Sequence, residues 1–177
     1  MHRERGVTLL ELLVAVAVAA ILATVAIPDL TSMIRHNRAV TSVNSLLHAL
    51  VLARYTAIER NRYVTVCRSS DGQRCTDDAD WEDGWMIFVN LDQDYPAQVD
   101  PGEPVLHVHG PLASGAHIIS NRIAFTFRPR GIRSTNGTLL YCSSDASNDR
   151  ALIINVVGRI RLEATHALSN GMDCSDP

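Results

Sequence analysis

A single apolar run from Val7 to Ile27, VTLLELLVAVAVAAILATVAI, dominates the start of the chain and carries one ionisable residue, Glu11. At about 1.5 Å per residue in a helix, such a run reaches about 31 Å, the thickness of a bilayer core. Beyond Pro28 the pattern becomes periodic. Leu30, Met33, Ile34, Val43, Leu46, Leu47, Leu50, Val51, Ala57 and Ile58 recur at helical spacing, with Arg35, Arg38, Arg54 and Glu59 between them. The two patterns join into one predicted helix from Val7 to about Arg60, apolar all round over 7–28 and amphipathic over 29–62. After Arg62 the period changes again, to short β-prone runs divided by turn-rich segments: YVTVC, WMIFVNL, VLHVH, RIAFTF, TLLYC, ALIINVV and RIRLE. Asn136-Gly137 reads as a hairpin turn, and Gly158 stands where the last two runs must reverse tightly. The fold class that follows is α+β, a long helix laid against one or two antiparallel sheets formed by residues 63–177.

Length allows little else. With 177 residues, 46% of them hydrophobic, the chain can hold one membrane-spanning segment and one compact domain. Four cysteines, Cys67, Cys75, Cys142 and Cys174, lack Cys-x-x-Cys spacing, so disulfides in an oxidising compartment are the simpler reading. Of the three connectivities, Cys67 with Cys75 and Cys142 with Cys174 is preferred because each pair stays within its own segment. The second would tie down the tail.

Net charge is −3, and all sixteen basic residues are Arg. Their distribution says more than their sum. From Asp71 to Glu103 there are ten acidic residues and one Arg, whereas from Arg122 to Arg161 there are seven Arg and two Asp. One part of the domain is therefore expected to be acidic and another basic.

Ahead of the apolar run sits a six-residue leader, MHRERG, whose Arg3 and Arg5 favour the cytoplasmic side. Glu11 is costly in lipid and calls for a cationic partner; the plain alternative is a membrane anchor that tolerates one carboxylate near its end. Gly6 followed by VTLLELLVAVAVAAILATVAIP resembles the class III signal of type IV pilins and pseudopilins. That resemblance implies a leader of residues 1–6 cut by a prepilin peptidase between Gly6 and Val7, N-methylation of Val7, and a Glu11 carboxylate paired with the terminal amine of a neighbouring subunit. Methylation keeps that amine cationic. Val7 stands where the family usually has Phe. Pro28 closes the run at the place where the family's helix commonly bends.

Three further patterns resemble the FimT/GspH group of minor pilins and pseudopilins. They are Gly84-Trp85-Met86-Ile87-Phe88-Val89 followed by Asp92 and Asp94, then Phe125-Thr126-Phe127-Arg128-Pro129-Arg130-Gly131, and last Gly158-Arg159-Ile160-Arg161. The fold implied is pilin-like, with a transmembrane first half of the helix and the globular part in the periplasm until the subunit joins an extracellular pilus. In the FimT-like branch the Gly-Arg-x-Arg motif is associated with DNA binding during uptake by competent bacteria. Here it maps to Gly158, Arg159 and Arg161. Residues two apart on a strand share a face about 6.6 Å apart, so both guanidiniums can follow one phosphate backbone. Arg128, Arg130 and Arg133 extend the basic surface if their loop neighbours that strand. The competing reading is a solvated alternating strand whose arginines pair with Glu163 and Asp149. Binding through phosphates is expected to be salt-sensitive and indifferent to sequence.

No stacking platform is expected, since Phe125, Phe127 and Tyr141 read as core or hairpin residues. His107 and His109 share a strand face but lack an evident third ligand, and Asp92-Gln93-Asp94 lacks the full calcium-loop pattern, so neither a metal nor another cofactor is assigned. Ser143, Ser144 and Asp145 are not framed by Gly-x-Ser-x-Gly, and no catalytic constellation emerges. The leading expectation is a minor pilin that binds DNA for natural transformation, with other pilins, the prepilin peptidase, DNA and the inner membrane as partners. The alternative is a structural or priming subunit, or a GspH-like pseudopilin of a type II secretion system, with no DNA role.

Overall fold

The computed structural model describes residues 8–113, 115–131, 133–143, 146–169 and 171–175, apart from the side chains of residues 25–29 and 131. The predicted leader and its cut site at Gly6 and Val7, the side chain of Pro28, and Ser144 and Asp145 lie outside that description. The chain divides into two compact units, residues 1–38 and 39–177.

One helix, α1 (Leu9–Glu59), runs without interruption in its backbone through position 28. Thr8 caps its start: its carbonyl accepts the Leu12 N–H at 3.1 Å and its hydroxyl accepts the Glu11 N–H at 3.3 Å. Glu11 thus sits in the first turn, where the helix dipole favours a negative charge. Within the first unit the apolar side chains from Leu9 to Leu22 are exposed. Among the described residues no helix is long and apolar enough to cross a membrane. The expected span of 7–28 includes Val7 and the side chains of Val25 to Pro28, which are outside the description.

In the second unit the buried stripe of α1 is Ala39, Val43, Leu46, Ala49, Leu50, Ala53 and Ala57. Its alanines keep the helix surface low where it meets the sheets. Val51 and Ile58, expected on the buried face, are half exposed instead. The strands are β1 (Tyr63–Arg68), β2 (Trp85–Asn90), β3 (Val105–His109), β4 (Ala116–Ser120), β5 (Ala124–Phe127), β6 (Gly137–Ser143), β7 (Arg150–Ile154) and β8 (Ile160–Ala164). They form two antiparallel sheets, ordered β3-β2-β1-β5 and β4-β6-β7-β8.

Alternation divides each sheet into two faces. Val64, Val66, Trp85, Ile87, Phe125 and Phe127 from one, with Ile118, Leu139, Leu152 and Ile154 from the other, join the helix stripe in a single core. Each outward face carries its own smaller cluster and its own disulfide. Cys67 pairs with Cys75 over Met86 and Phe88. Cys142 pairs with Cys174, holding Leu168 and Met172 over Leu140 and Ala151. Both links therefore fasten irregular segments onto sheet surfaces that would otherwise face water. The Glu82 carboxylate, in the turn before β2, meets the His117 ring and accepts the Ile118 N–H at 3.1 Å, tying that turn to β4.

Two local expectations need correction. Strand β4 (Ala116–Ser120) adds an eighth strand to the seven β-prone runs. Asn136-Gly137 does not close a hairpin, because β5 and β6 belong to different sheets and Gly137 already pairs with Ile154.

Candidate nucleic-acid interface

The turn between β7 and β8 is organised by Asn155. Its side-chain oxygen accepts the Val157 and Arg159 N–H groups at 3.1 and 2.9 Å, its backbone N–H donates to the Arg159 carbonyl at 3.1 Å, and its carbonyl accepts the Gly158 N–H at 2.8 Å. Gly158 adopts φ 70°, and a Cβ there would lie 3.0 Å from Ser134 Oγ and 3.2 Å from Phe127 Cδ1. Both conformation and space call for glycine. Gly158 is buried, so it shapes the turn and offers no surface for a ligand, a correction to its expected place among the contact residues.

Arg159 precedes β8 rather than lying within it, and its guanidinium is exposed. Arg161 lies in β8 opposite Ile153 and is also exposed, while Ile160 between them packs on the core. Arg161 is not free: its Nε lies 2.8 Å from Glu163 Oε1. The other carboxylate considered as a partner, Asp149, is buried and engaged elsewhere. It accepts the Ser143 N–H at 2.6 Å and the Ser143 hydroxyl at 2.9 Å, and holds His166 Nδ1 at 2.5 Å.

The second arginine segment is its neighbour. Ser134 N–H donates to the Val156 carbonyl at 2.9 Å, and Gly158 lies against Ser134 and Phe127. The condition that the 128–134 loop and the last hairpin adjoin is therefore met. Arg128 is half-buried, with its guanidinium 5.5 Å from the centre of the Tyr63 ring. Arg130 and Arg133 are exposed and hold positive φ angles of 68° and 58°. Left-handed backbone is costly for residues with a Cβ, so the loop is held by its surroundings rather than by its own preference. Arg130, Arg133 and Arg159 make no ion pair among the described residues.

Phe125, Phe127 and Tyr141 are buried, as the sequence reading supposed. It missed Tyr95, which is 98% exposed. The turn-rich stretch Asp94-Tyr95-Pro96 was the available signal, since a tyrosine between two turn residues has little core to enter. Tyr95 belongs to the acidic segment, where Asp92, Asp94 and Asp100 place carboxylate oxygens within 4.8 Å of one another. Loss of water around Asp100 raises its pKa, and the charges of Asp92, Glu103 and Asp94 raise it further. Acidic and basic surfaces are thus built by different segments of the same unit.

The tail carries a separate polar cluster. The hydrogen bond that His166 donates to Asp149 raises the pKa of His166, partial burial opposes it, and the Asp149 and Asp173 charges add to the rise. Hydrogen bonds from Ser175 lower the pKa of Asp173. Cys174 lies beside Asp149 and His166, but its sulfur is committed to Cys142 and the trio is no metal centre.

A long amino-terminal helix packed by its second half on antiparallel sheets is the architecture of the type IV pilin class. Residues 42–158 match the family described as Type II transport protein GspH, and residues 1–27 match the prokaryotic N-terminal methylation motif. The chain is similar to the pilin-like protein PilA1 of Thermus thermophilus, 30% identical over 171 residues that cover 90% of this chain and 99% of that one. It is also similar to two crystal structures of the type IV minor pilin FimU of Pseudomonas aeruginosa. These are 23% and 24% identical, with TM-scores of 0.49 and 0.48, covering 71% and 70% of this chain and 90% and 91% of those. The chain belongs to the GspH family of type IV minor pilins and pseudopilins. Members are structural proteins rather than enzymes. The methylation motif implies processing by a prepilin peptidase, association with other pilins in a filament, and a membrane-anchored chain with its globular part in the periplasm.

Proposed function

We infer that this minor pilin binds DNA through the junction of the 128–134 loop and the last hairpin, and serves DNA uptake in natural transformation as a FimT-like subunit. The observation that carries this reading is the Ser134 to Val156 hydrogen bond, which joins two arginine-bearing segments into one surface. Arg159, Arg130 and Arg133 supply exposed cations, Arg161 adds a charge shared with Glu163, and Arg128 supports the loop from Tyr63. Phosphates are the ligands such a surface fits, because the planar guanidinium donors match phosphate oxygens. At the other end of the chain, residues 7–28 form a single-pass span. Cleavage after Gly6 leaves a methylated Val7, and Glu11 pairs with the terminal amine of a neighbouring subunit, with Pro28 at the end of the span.

The test is a mobility shift of duplex DNA by the full-length protein in detergent, wild type beside Arg159→Gln/Arg161→Gln, at low and physiological salt. A salt-sensitive shift lost in the double variant is the expected result. A shift that survives both substitutions sinks the assignment.

A second reading is favoured by the Arg161–Glu163 ion pair, which lowers the positive charge of the motif. In it the subunit primes or builds the filament, or acts as a pseudopilin of a type II secretion system, and its arginines face other subunits. A deletion strain separates the two: loss of filaments or of protein secretion supports the structural role, and loss of transformation alone supports DNA uptake.

A further inference from the structure

The face of α1 carrying Thr41, Asn44, Ser45 and His48 at helical spacing forms, with His107 and His109 of β3, an open cleft of about 500 Å³. His107 is registered with Ile87 and His109 with Trp85. Ile87 and Trp85 belong to the core that packs on α1, so both imidazoles stand on the helix side of the sheet. The ladder between β2 and β3 shifts register between Ile87 and Phe88, leaving Leu106 as an extra residue. Bulges of this kind re-aim neighbouring side chains.

We propose that His48, His107 and His109 form a binding site for a divalent late-transition ion such as zinc or copper. His109 already has the support that metal-bound imidazoles usually have. Its ring stacks on buried Trp85, with centroids 4.0 Å apart and planes at 10°, and its Nδ1 donates to the Gly110 carbonyl at 2.6 Å. A carbonyl only accepts, so Nδ1 carries a proton and Nε2 is the nitrogen left to bind an ion. His48 and His107 are exposed and make no side-chain hydrogen bond among the described residues. The three rings are not drawn together within 4.8 Å as the Asp92, Asp94 and Asp100 carboxylates are. The proposal requires the two exposed rings of His48 and His107 to rotate toward His109 Nε2. No carboxylate lines the cleft, which disfavours calcium and magnesium; imidazole suits zinc, copper and nickel. Water completes a four-coordinate zinc sphere. A bound ion would clip β3 to the helix.

The experiment uses the full-length protein in detergent at neutral pH. Copper(II) is titrated while tryptophan emission is followed, because a copper ion on His109 lies against Trp85 and quenches it. Saturation at one equivalent is expected, with recovery on adding a chelator and competition by zinc. His48→Asn and His107→Asn should each weaken binding about tenfold or more. Both side chains are exposed, so the metal-free Tm should stay at the wild-type value, whereas zinc should raise the Tm of the wild type more than that of either variant. Quenching that both variants retain at wild-type affinity, or a zinc-independent wild-type Tm, overturns the proposal.

Discussion

Arg161 and Arg159 are two residues apart, yet they differ in what they can give to a phosphate. Arg161 must share its guanidinium with Glu163, whereas Arg159 has no carboxylate partner among the described residues. Both members of the pair are substantially exposed, so the link is worth about 1 kcal/mol or less and yields to a strong anion. In a mobility shift at low salt, Arg159→Gln should therefore weaken DNA retention more than Arg161→Gln, and Glu163→Gln should strengthen it. Equal effects of the two arginine changes would mean that the Glu163 pair does not matter for binding. His166 supports a second prediction. Its pKa is raised in the folded chain, so its contribution to stability is complete below the unfolded value near 6.5 and is lost as pH rises through the folded one. Thermal melting should fall on going from mildly acidic to mildly alkaline pH, and His166→Asn should flatten that slope without changing the Arg159 surface.

At the scale of elements, the two disulfides close very different loops, with sequence separations of 8 and 32. In the chain-entropy picture these amount to about 2.5 and about 3.7 kcal/mol, so Cys142→Ser/Cys174→Ser should lower stability more than Cys67→Ser/Cys75→Ser. Differential scanning calorimetry of the two double variants decides it. A core counterpart is Leu50→Ala, fully buried between α1 and the sheets, which should cost about 2 to 5 kcal/mol. How far these elements could be read from residues depended on the length of their pattern. The helix was legible because its apolar positions persist from Leu9 to Ala57, and most strands because their runs are long and bounded by turn residues. Strand β4, AHIIS, was hidden: five residues after a Pro- and Gly-containing stretch give no lasting alternation. Asn136-Gly137 carried a true turn signal in the wrong context, since local sequence does not say that the next strand pairs in another sheet. The arginines of the site were legible as residue types. That Ser134 and Gly158 bring their two segments together is a tertiary contact, and no spacing encodes it. No spacing groups His48 with His107 and His109 either, because it comes from another element.

On the scale of the whole molecule, net charge opposes DNA, and the arrangement of charge must overcome it. With a total of −3, an unpatterned protein of this composition would be repelled by a polyanion, so retention has to come from a local set of cations away from the 71–103 acidic segment. That set is small. Arg130, Arg133 and Arg159 are exposed without ion partners among the described residues, and Arg161 and Arg128 are partly engaged. Each phosphate neutralised on duplex DNA contributes about −0.9 to the slope of log K against log salt, so three to five contacts predict a slope between about −2.7 and −4.5. Removing the competing carboxylate with Glu163→Gln should steepen the slope by about 0.9, and Arg159→Gln should flatten it by the same amount. Duplexes of different sequence should give one common slope, because the contacts reach phosphates and not base edges. A slope near zero would mean that retention does not come from ionic contact, and the arginine surface would then fall to the subunit-contact reading. A slope much steeper than −4.5 would require cations beyond these five, and a slope that stays steep when Arg122 and Arg150 are also neutralised would place the binding unit in the filament rather than in the single subunit.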